Sequence, residues 1–107
     1  MVDLKYVIQV NKELGGTILS RNSLESAFSS WEYYGDIESQ IASIVRGLVK
    51  NHAFTDGNKR TAFLIFLVLC EENAIPITKD STYFIALFLN LAETKYSVEK
   101  VRDLLFG

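Results

Sequence analysis

Cysteine, proline, histidine, methionine and tryptophan each occur once in these 107 residues, and the formal net charge is only −2. A single Cys70 rules out an internal disulfide. Lying in the apolar run from Ala62 to Cys70, it reads as a small buried hydrophobe and not a reactive thiol. With no N-terminal signal segment, the expected compartment is the cytosol. The lone Pro76 leaves the chain nearly free of helix breakers. The small net charge supplies no global field to draw the chain to nucleic acid or to an anionic membrane, so direct nucleic-acid binding is not expected. The nine-residue apolar run is about half of what a bilayer span needs, so no membrane anchor is expected either. Period-two alternation long enough to build a sheet is also missing.

What remains is ordinary globular composition, 49% hydrophobic and 22% charged, in a length that suits one domain over residues 1–107. The periodicity is helical almost throughout. Leu4, Val7, Ile8 and Val10 form an apolar stripe flanked by Lys5, Asn11, Lys12 and Glu13, and Gly15-Gly16 ends that helix. Thr17 to Ser20 is too short and β-branched for a helix and reads as an extended arm. Asn22 with Glu25 resembles a capping box opening a short helix to Phe28 or Ser29. Trp31 to Gly35 is an aromatic-rich connection; Trp31, Tyr33 and Tyr34 are read as core packing ahead of partner surface. Asp36 is expected to cap a helix with Ile37, Ile41, Ile44, Val45, Leu48 and Val49 on one face, ending near Asn51. A helix from about Asn58 to Asn73, apolar all round, is expected at the centre. Two more follow, from Asp80 or Ser81 to about Glu93 and after a Ser97 cap. The expected fold is an all-α bundle of about six helices with a short extended flap near residues 16–21.

The chemistry concentrates in His52-Ala-Phe-Thr-Asp-Gly-Asn-Lys-Arg60, between two of these helices. A helix beginning at Gly57 or Asn58 leaves its first N–H groups unpaired at the positive end of its dipole, a ready anion site. Gly57 lets a phosphate approach the backbone, and Asn58, Lys59 and Arg60 add an amide and two cations. Asp56 offers one hard oxygen ligand, enough for a magnesium ion that keeps most of its waters. His52 is the one imidazole and the natural general base at cellular pH. Phe54 alternates with these polar groups and reads as the structural anchor that pins the loop. Each fragment alone has a plainer reading, as a turn, a cap or a solvated helix edge; the arrangement favours phosphate chemistry.

These residues resemble the signature of the Fic/Doc superfamily, and in particular its death-on-curing (Doc) branch. The resemblance also takes in Gly15-Gly16, the run from Ser20 to Ala27 and the Asn73-to-Thr78 turn. It implies a nucleotide-dependent transferase that modifies a hydroxyl of a protein, with ATP as substrate and Mg2+ as cofactor. His52 would be the base, Asp56 the metal ligand, and Gly57, Asn58, Lys59 and Arg60 the anion hole. Thr17, Ile18 and Leu19 would form a flap that aligns the target by backbone pairing. Fic adenylyltransferases carry glycine where this chain has Lys59, and a second arginine where it has Phe63. The lysine form is similar to Doc-type kinases, which transfer the γ-phosphate. The resemblance further implies a toxin acting on translation elongation factor Tu and silenced by a Phd-like antitoxin. Two alternatives remain open: adenylylation, and a non-catalytic antitoxin-binding regulatory module.

Overall fold

The computed structural model describes residues 2–107. Among them are six α-helices: α1 (Leu4–Glu13), α2 (Arg21–Ser29), α3 (Ile37–Lys50), α4 (Asn58–Glu72), α5 (Ser81–Glu93) and α6 (Val98–Phe106), with a 3-10 turn over Ser30–Tyr33. No strand forms among the described residues; the one β-type contact is an isolated antiparallel bridge between Ile18 and Phe54. No helix among them is long and apolar enough to cross a membrane.

Local chemistry sets most of the boundaries. Asp3, Asp36, Asp80 and Ser97 each accept a hydrogen bond from the backbone N–H three residues on, which satisfies one unpaired donor at each helix start. The expected starts of α3, α5 and α6 therefore hold. The start of α2 does not. Ser20, not Asn22, is the cap, its hydroxyl accepting from the Ser23 N–H at 3.1 Å. Glu25 closes no capping box and instead pairs with Arg21 at 3.3 Å. Two competing short polar side chains two positions apart made the frame ambiguous. As a result Arg21 lies in α2, and the extended segment is shorter than the 16–21 expected for the flap.

The hub of the bundle also differs from expectation. It is α3 that packs against α2, α4, α5, α6 and the 3-10 turn, whereas α4 packs on α1, α3 and α5. The unbroken apolar centre of α4 is therefore not enclosed on every side. Ile65, Phe66 and Leu69 are buried, Phe63 is only partly covered and Leu64 is exposed. Where α2 crosses α3, Gly47 sits directly on Ala27, with no room for a Cβ. Of the aromatic cluster after α2, Trp31 packs on the core, but Tyr33 is 86% exposed and contributes nothing to it. Burial pushes the Cys70 thiol up to about 11, helped by the Glu38 carboxylate, in keeping with an inert core position.

The parts that frame the loop are α1, α3 and α4. Asn51 ends α3, and its side-chain amide donates to the Ser23 carbonyl at 3.1 Å, joining that end to α2. Gly57 starts α4 in the left-handed region (φ 74°), a conformation that costs glycine little.

Candidate active site

Residues 52 to 57 bridge α3 and α4, and five consecutive residues of the loop are individually tied. The Ala53 carbonyl accepts from the Leu19 and Ser20 N–H groups at 2.7 and 3.1 Å. Both backbone groups of Phe54 pair with the Asn58 carboxamide, N–H to Oδ1 at 3.2 Å and Nδ2 to carbonyl at 2.9 Å. The Thr55 N–H donates to the Thr17 carbonyl at 3.0 Å, and the Thr55 hydroxyl accepts from the Thr17 N–H at 3.1 Å. The Asp56 carbonyl accepts from Asn11 Nδ2 at 2.8 Å, and the Gly57 N–H donates to Asp56 Oδ1 at 2.8 Å. The Phe54 ring lies in the core, 2% exposed.

His52 alone in this loop has no such tie. It is exposed and takes a left-handed backbone (φ 50°), a conformation costing a non-glycine residue about 1–2 kcal/mol, although histidine is among the types that visit it. Such strain persists only where the neighbouring structure imposes it. Here Asn51 and Ala53 on either side are both held.

The start of α4 has no side-chain cap and no acidic residue in its first turn. The first intrahelical bond runs from Thr61 N–H to the Gly57 carbonyl at 2.8 Å, so the N–H groups of Asn58, Lys59 and Arg60 have no acceptor in the helix. With the helix dipole they make a positive end whose one nearby carboxylate, Asp56, is spent on the Gly57 N–H and lies near Arg60. Lys59 has no partner among the described residues. Arg60 stands 3.9 Å from Asp56 Oδ2 with both side chains well exposed, a pair worth at most about 1 kcal/mol and easily exchanged for a phosphate. The Asn58 side chain, by contrast, is committed to Phe54, which leaves its backbone N–H for a ligand.

Asp56 is the only carboxylate in the loop, and its side chain is 76% exposed. No cluster of three His, Cys, Asp or Glu side chains that could hold a metal occurs among the described residues. The donor set therefore does not suit a resident all-protein metal. It suits a hard cation arriving with phosphate oxygens and water and taking one carboxylate oxygen.

Thr17, Ile18 and Leu19 run antiparallel to the loop. Thr17 and Leu19 spend backbone groups on Thr55 and Ala53, and the alternation of an antiparallel pair turns the N–H and C=O of Ile18 the other way. Ile18 itself is 39% exposed.

Asn11 was missed in the sequence, where it reads as a solvated flank of the α1 stripe. It is fully buried, and Nδ2 also reaches the Thr61 hydroxyl at 3.1 Å, so one carboxamide joins α1, the loop and α4. Its Oδ1 is buried with no hydrogen-bond partner. A Cβ on Gly16 would collide with this Oδ1 and with the Asp56 carbonyl, which explains the second glycine. The available signal was position: Asn11 lies four residues after the buried Val7, a polar residue on the apolar side of the helix.

One cavity, of about 410 Å³, is lined in part by Phe28, Trp31 and Leu69 and touches no residue of the loop. A smaller one, about 170 Å³, borders Lys59 and Arg60.

The family model described as Fic/DOC family matches residues 3–70, well over half of the chain. No curated protein matches it. The chain belongs to the Fic/DOC family.

Proposed function

From that membership we propose that the chain is a toxin kinase of the Doc type, transferring the γ-phosphate of ATP to a Thr or Ser hydroxyl of a protein. Fic/DOC domains are usually transferases with nucleotide substrates, often acting with Mg2+. The observation that supports the finer reading is the start of α4: three N–H groups without a helical acceptor, no acidic residue in the first turn, and two cations, Lys59 unpaired among the described residues and Arg60 only weakly paired with Asp56. Lys59 stands where adenylylating relatives have glycine, and Phe63 where they have a second arginine; both favour phosphate over nucleotide transfer.

In this reading the N–H groups of Asn58, Lys59 and Arg60 hold the transferred phosphoryl group, with the Arg60 guanidinium and Lys59 ammonium neutralising its oxygens. Asp56 would hold magnesium, which supplies charge neutralisation on the phosphates. His52 takes the proton of the target hydroxyl as its oxygen bonds to the γ-phosphorus and the bond to the ADP oxygen breaks. Phosphoryl transfer depends mainly on such positioning and electrostatics. The outer edge of Ile18 receives the target segment as an added strand. The partners that go with this reading are a Phd-like antitoxin and elongation factor Tu as target.

Incubation with γ-labelled and, separately, α-labelled ATP and a cell lysate tests it. Label reaching protein from the γ position is expected. Transfer from the α position alone would replace the reading with adenylylation, and neither transfer nor growth arrest on expression would favour a regulatory module.

A further inference from the structure

The cavity of about 410 Å³ lies at the opposite end of α4 from Gly57, about 20 Å along the helix axis, where α4 meets α3 and the end of α2. Ile44 and Leu69 are buried and close its inner side, while Phe28 and Trp31 are only partly covered and give it aromatic walls. Its charged side chains are Glu32 and Glu72, both exposed; no lysine, arginine or histidine lines it among the described residues. Glu32 makes no ion pair among those residues. The end of α4 adds to the negative potential. Its last turn holds Glu71 and Glu72 and no basic residue, at the pole of the helix dipole where carboxylates are unfavourable. The Glu38 carboxylate of α3 is close enough to raise the Cys70 thiol in the same turn. With Lys59 and Arg60 at its positive pole, α4 is thus charged against its own dipole at both ends. Breaches of a local rule without a structural gain gather at functional sites.

We propose that this cavity binds a small organic ammonium ion, its apolar body against Phe28, Trp31 and Leu69 and its charge beside Glu32. A volume of about 410 Å³ falls within the roughly 300–1,000 Å³ of small-molecule sites, where apolar walls hold the ligand and a few polar groups orient it. The negative potential turns anions away. Aromatic walls favour a cation, and tryptophan is the ring that attracts one most strongly. A protein segment is the poorer occupant. An extended segment needs a free strand edge and a helical one needs a groove with several anchors, whereas this is a single cavity among helix ends. Such a site is separate from the phosphate chemistry proposed above and does not depend on it.

Trp31 is the one tryptophan of the chain, so its fluorescence reports occupancy of the cavity directly. The whole protein is titrated with phenethylamine, phenethyl alcohol and hydrocinnamate, which share a phenyl ring on a short chain and are cationic, neutral and anionic. The amine should bind in the millimolar range or tighter, about tenfold more tightly than the alcohol, and hydrocinnamate should not bind. E32Q replaces an exposed carboxylate by a neutral isostere, so folding is safe; it should weaken the amine about tenfold and leave the alcohol unchanged. F28L should weaken both by about threefold, since each loses the same ring contact. If the alcohol binds wild type as tightly as the amine, or E32Q binds the amine as wild type does, Glu32 selects no charge and the proposal fails. It fails equally if none of the three changes Trp31 fluorescence up to about 20 mM. A short peptide of lysine and phenylalanine binding more than about tenfold tighter than the amine would give the cavity to a basic protein segment instead. Wild type that binds the amine but not inorganic tripolyphosphate would uphold this site and remove the phosphate reading alone.

Discussion

Replacing Asn11 with leucine tests whether the loop is held from beneath. The substitution keeps approximate volume and removes two donated bonds, to the Asp56 carbonyl at 2.8 Å and to the Thr61 hydroxyl at 3.1 Å. Each such bond is worth about 0.5–1.5 kcal/mol net, so the direct loss is about 1–3 kcal/mol. Two acceptors then lose their partner, but the unpartnered Oδ1 also disappears, and those costs are of similar size and opposite sign. A loss of about 1–3 kcal/mol lowers the melting temperature by about 5–20 °C and leaves a domain of typical stability folded. The functional consequence has a separate cause. In a trans peptide the C=O and N–H point in opposite directions, so Asn11 fixes the Gly57 N–H and the start of α4 by holding the Asp56 carbonyl inward. Releasing it should weaken binding of tripolyphosphate by about tenfold, comparable to misaligning one hydrogen bond to a charged group. T61V is the control: it removes the Thr61 hydroxyl but leaves the Asp56 bond, so stability should fall by about 1 kcal/mol with affinity intact. Thermal melts and titration calorimetry on the three proteins decide the matter. If N11L melts lower yet binds tripolyphosphate as wild type does, or T61V weakens binding equally, Asn11 does not set the loop geometry.

Other expectations follow from the same structure. G16A should destabilise the fold and weaken phosphate binding, because its methyl group meets Asn11 and the Asp56 carbonyl; G35A, where nothing lies within 4 Å, should melt like wild type. H52A should lower transfer by about 10²–10⁴ in single-turnover assays with little change in melting, since His52 is exposed and untied. Hydrogen bonds from the Ser39 backbone and hydroxyl hold the Asp36 carboxyl below its ordinary value of 3.8. Its contribution to stability is complete above that value and disappears as pH falls through the lower folded value. In acid melts the difference between wild type and D36N should therefore shrink below pH 3.8. Cys70, pushed up to about 11 from 9.0, holds its proton longer folded than unfolded, so its contribution declines as pH rises between those values. Thiol-labelling at pH 8 should be negligible until the protein is unfolded; rapid labelling of the folded protein would contradict its burial.

Much of this was legible because the chain punctuates its helices with short-range chemistry. Asp36 and the spacing from Ile37 to Val49 located α3, and Gly57-Asn58 located the start of α4, since caps and periodicity act within a few residues. Phe54, expected to plug into the core, is buried there. The misses came from longer distances. Asn11 meets its partners 45 and 50 residues away, and nothing local marks that bond. The choice of Ser20 over Asn22 as cap goes with the pairing of Leu19 and Ser20 to Ala53, again across the fold. That α3 and not α4 is the hub follows from how five neighbours pack, which the composition of α4 alone does not encode.

The successive ties from Ala53 to Gly57 also bear on how such a domain can diversify. Most of these ties use backbone groups on the loop's side, and the Thr55 hydroxyl and the Asp56 carboxylate are the loop side chains that take part. His52, Lys59 and Arg60 project from a scaffold whose hydrogen bonds do not run through their side chains, whereas Phe63 packs on Phe84 and Phe88. Exchanges at His52, Lys59 and Arg60 should cost the fold little, whereas Asn11, Gly16, Asn58 and Thr61 have little freedom to vary. The bracing of the loop thus lets its shape persist while those three side chains change.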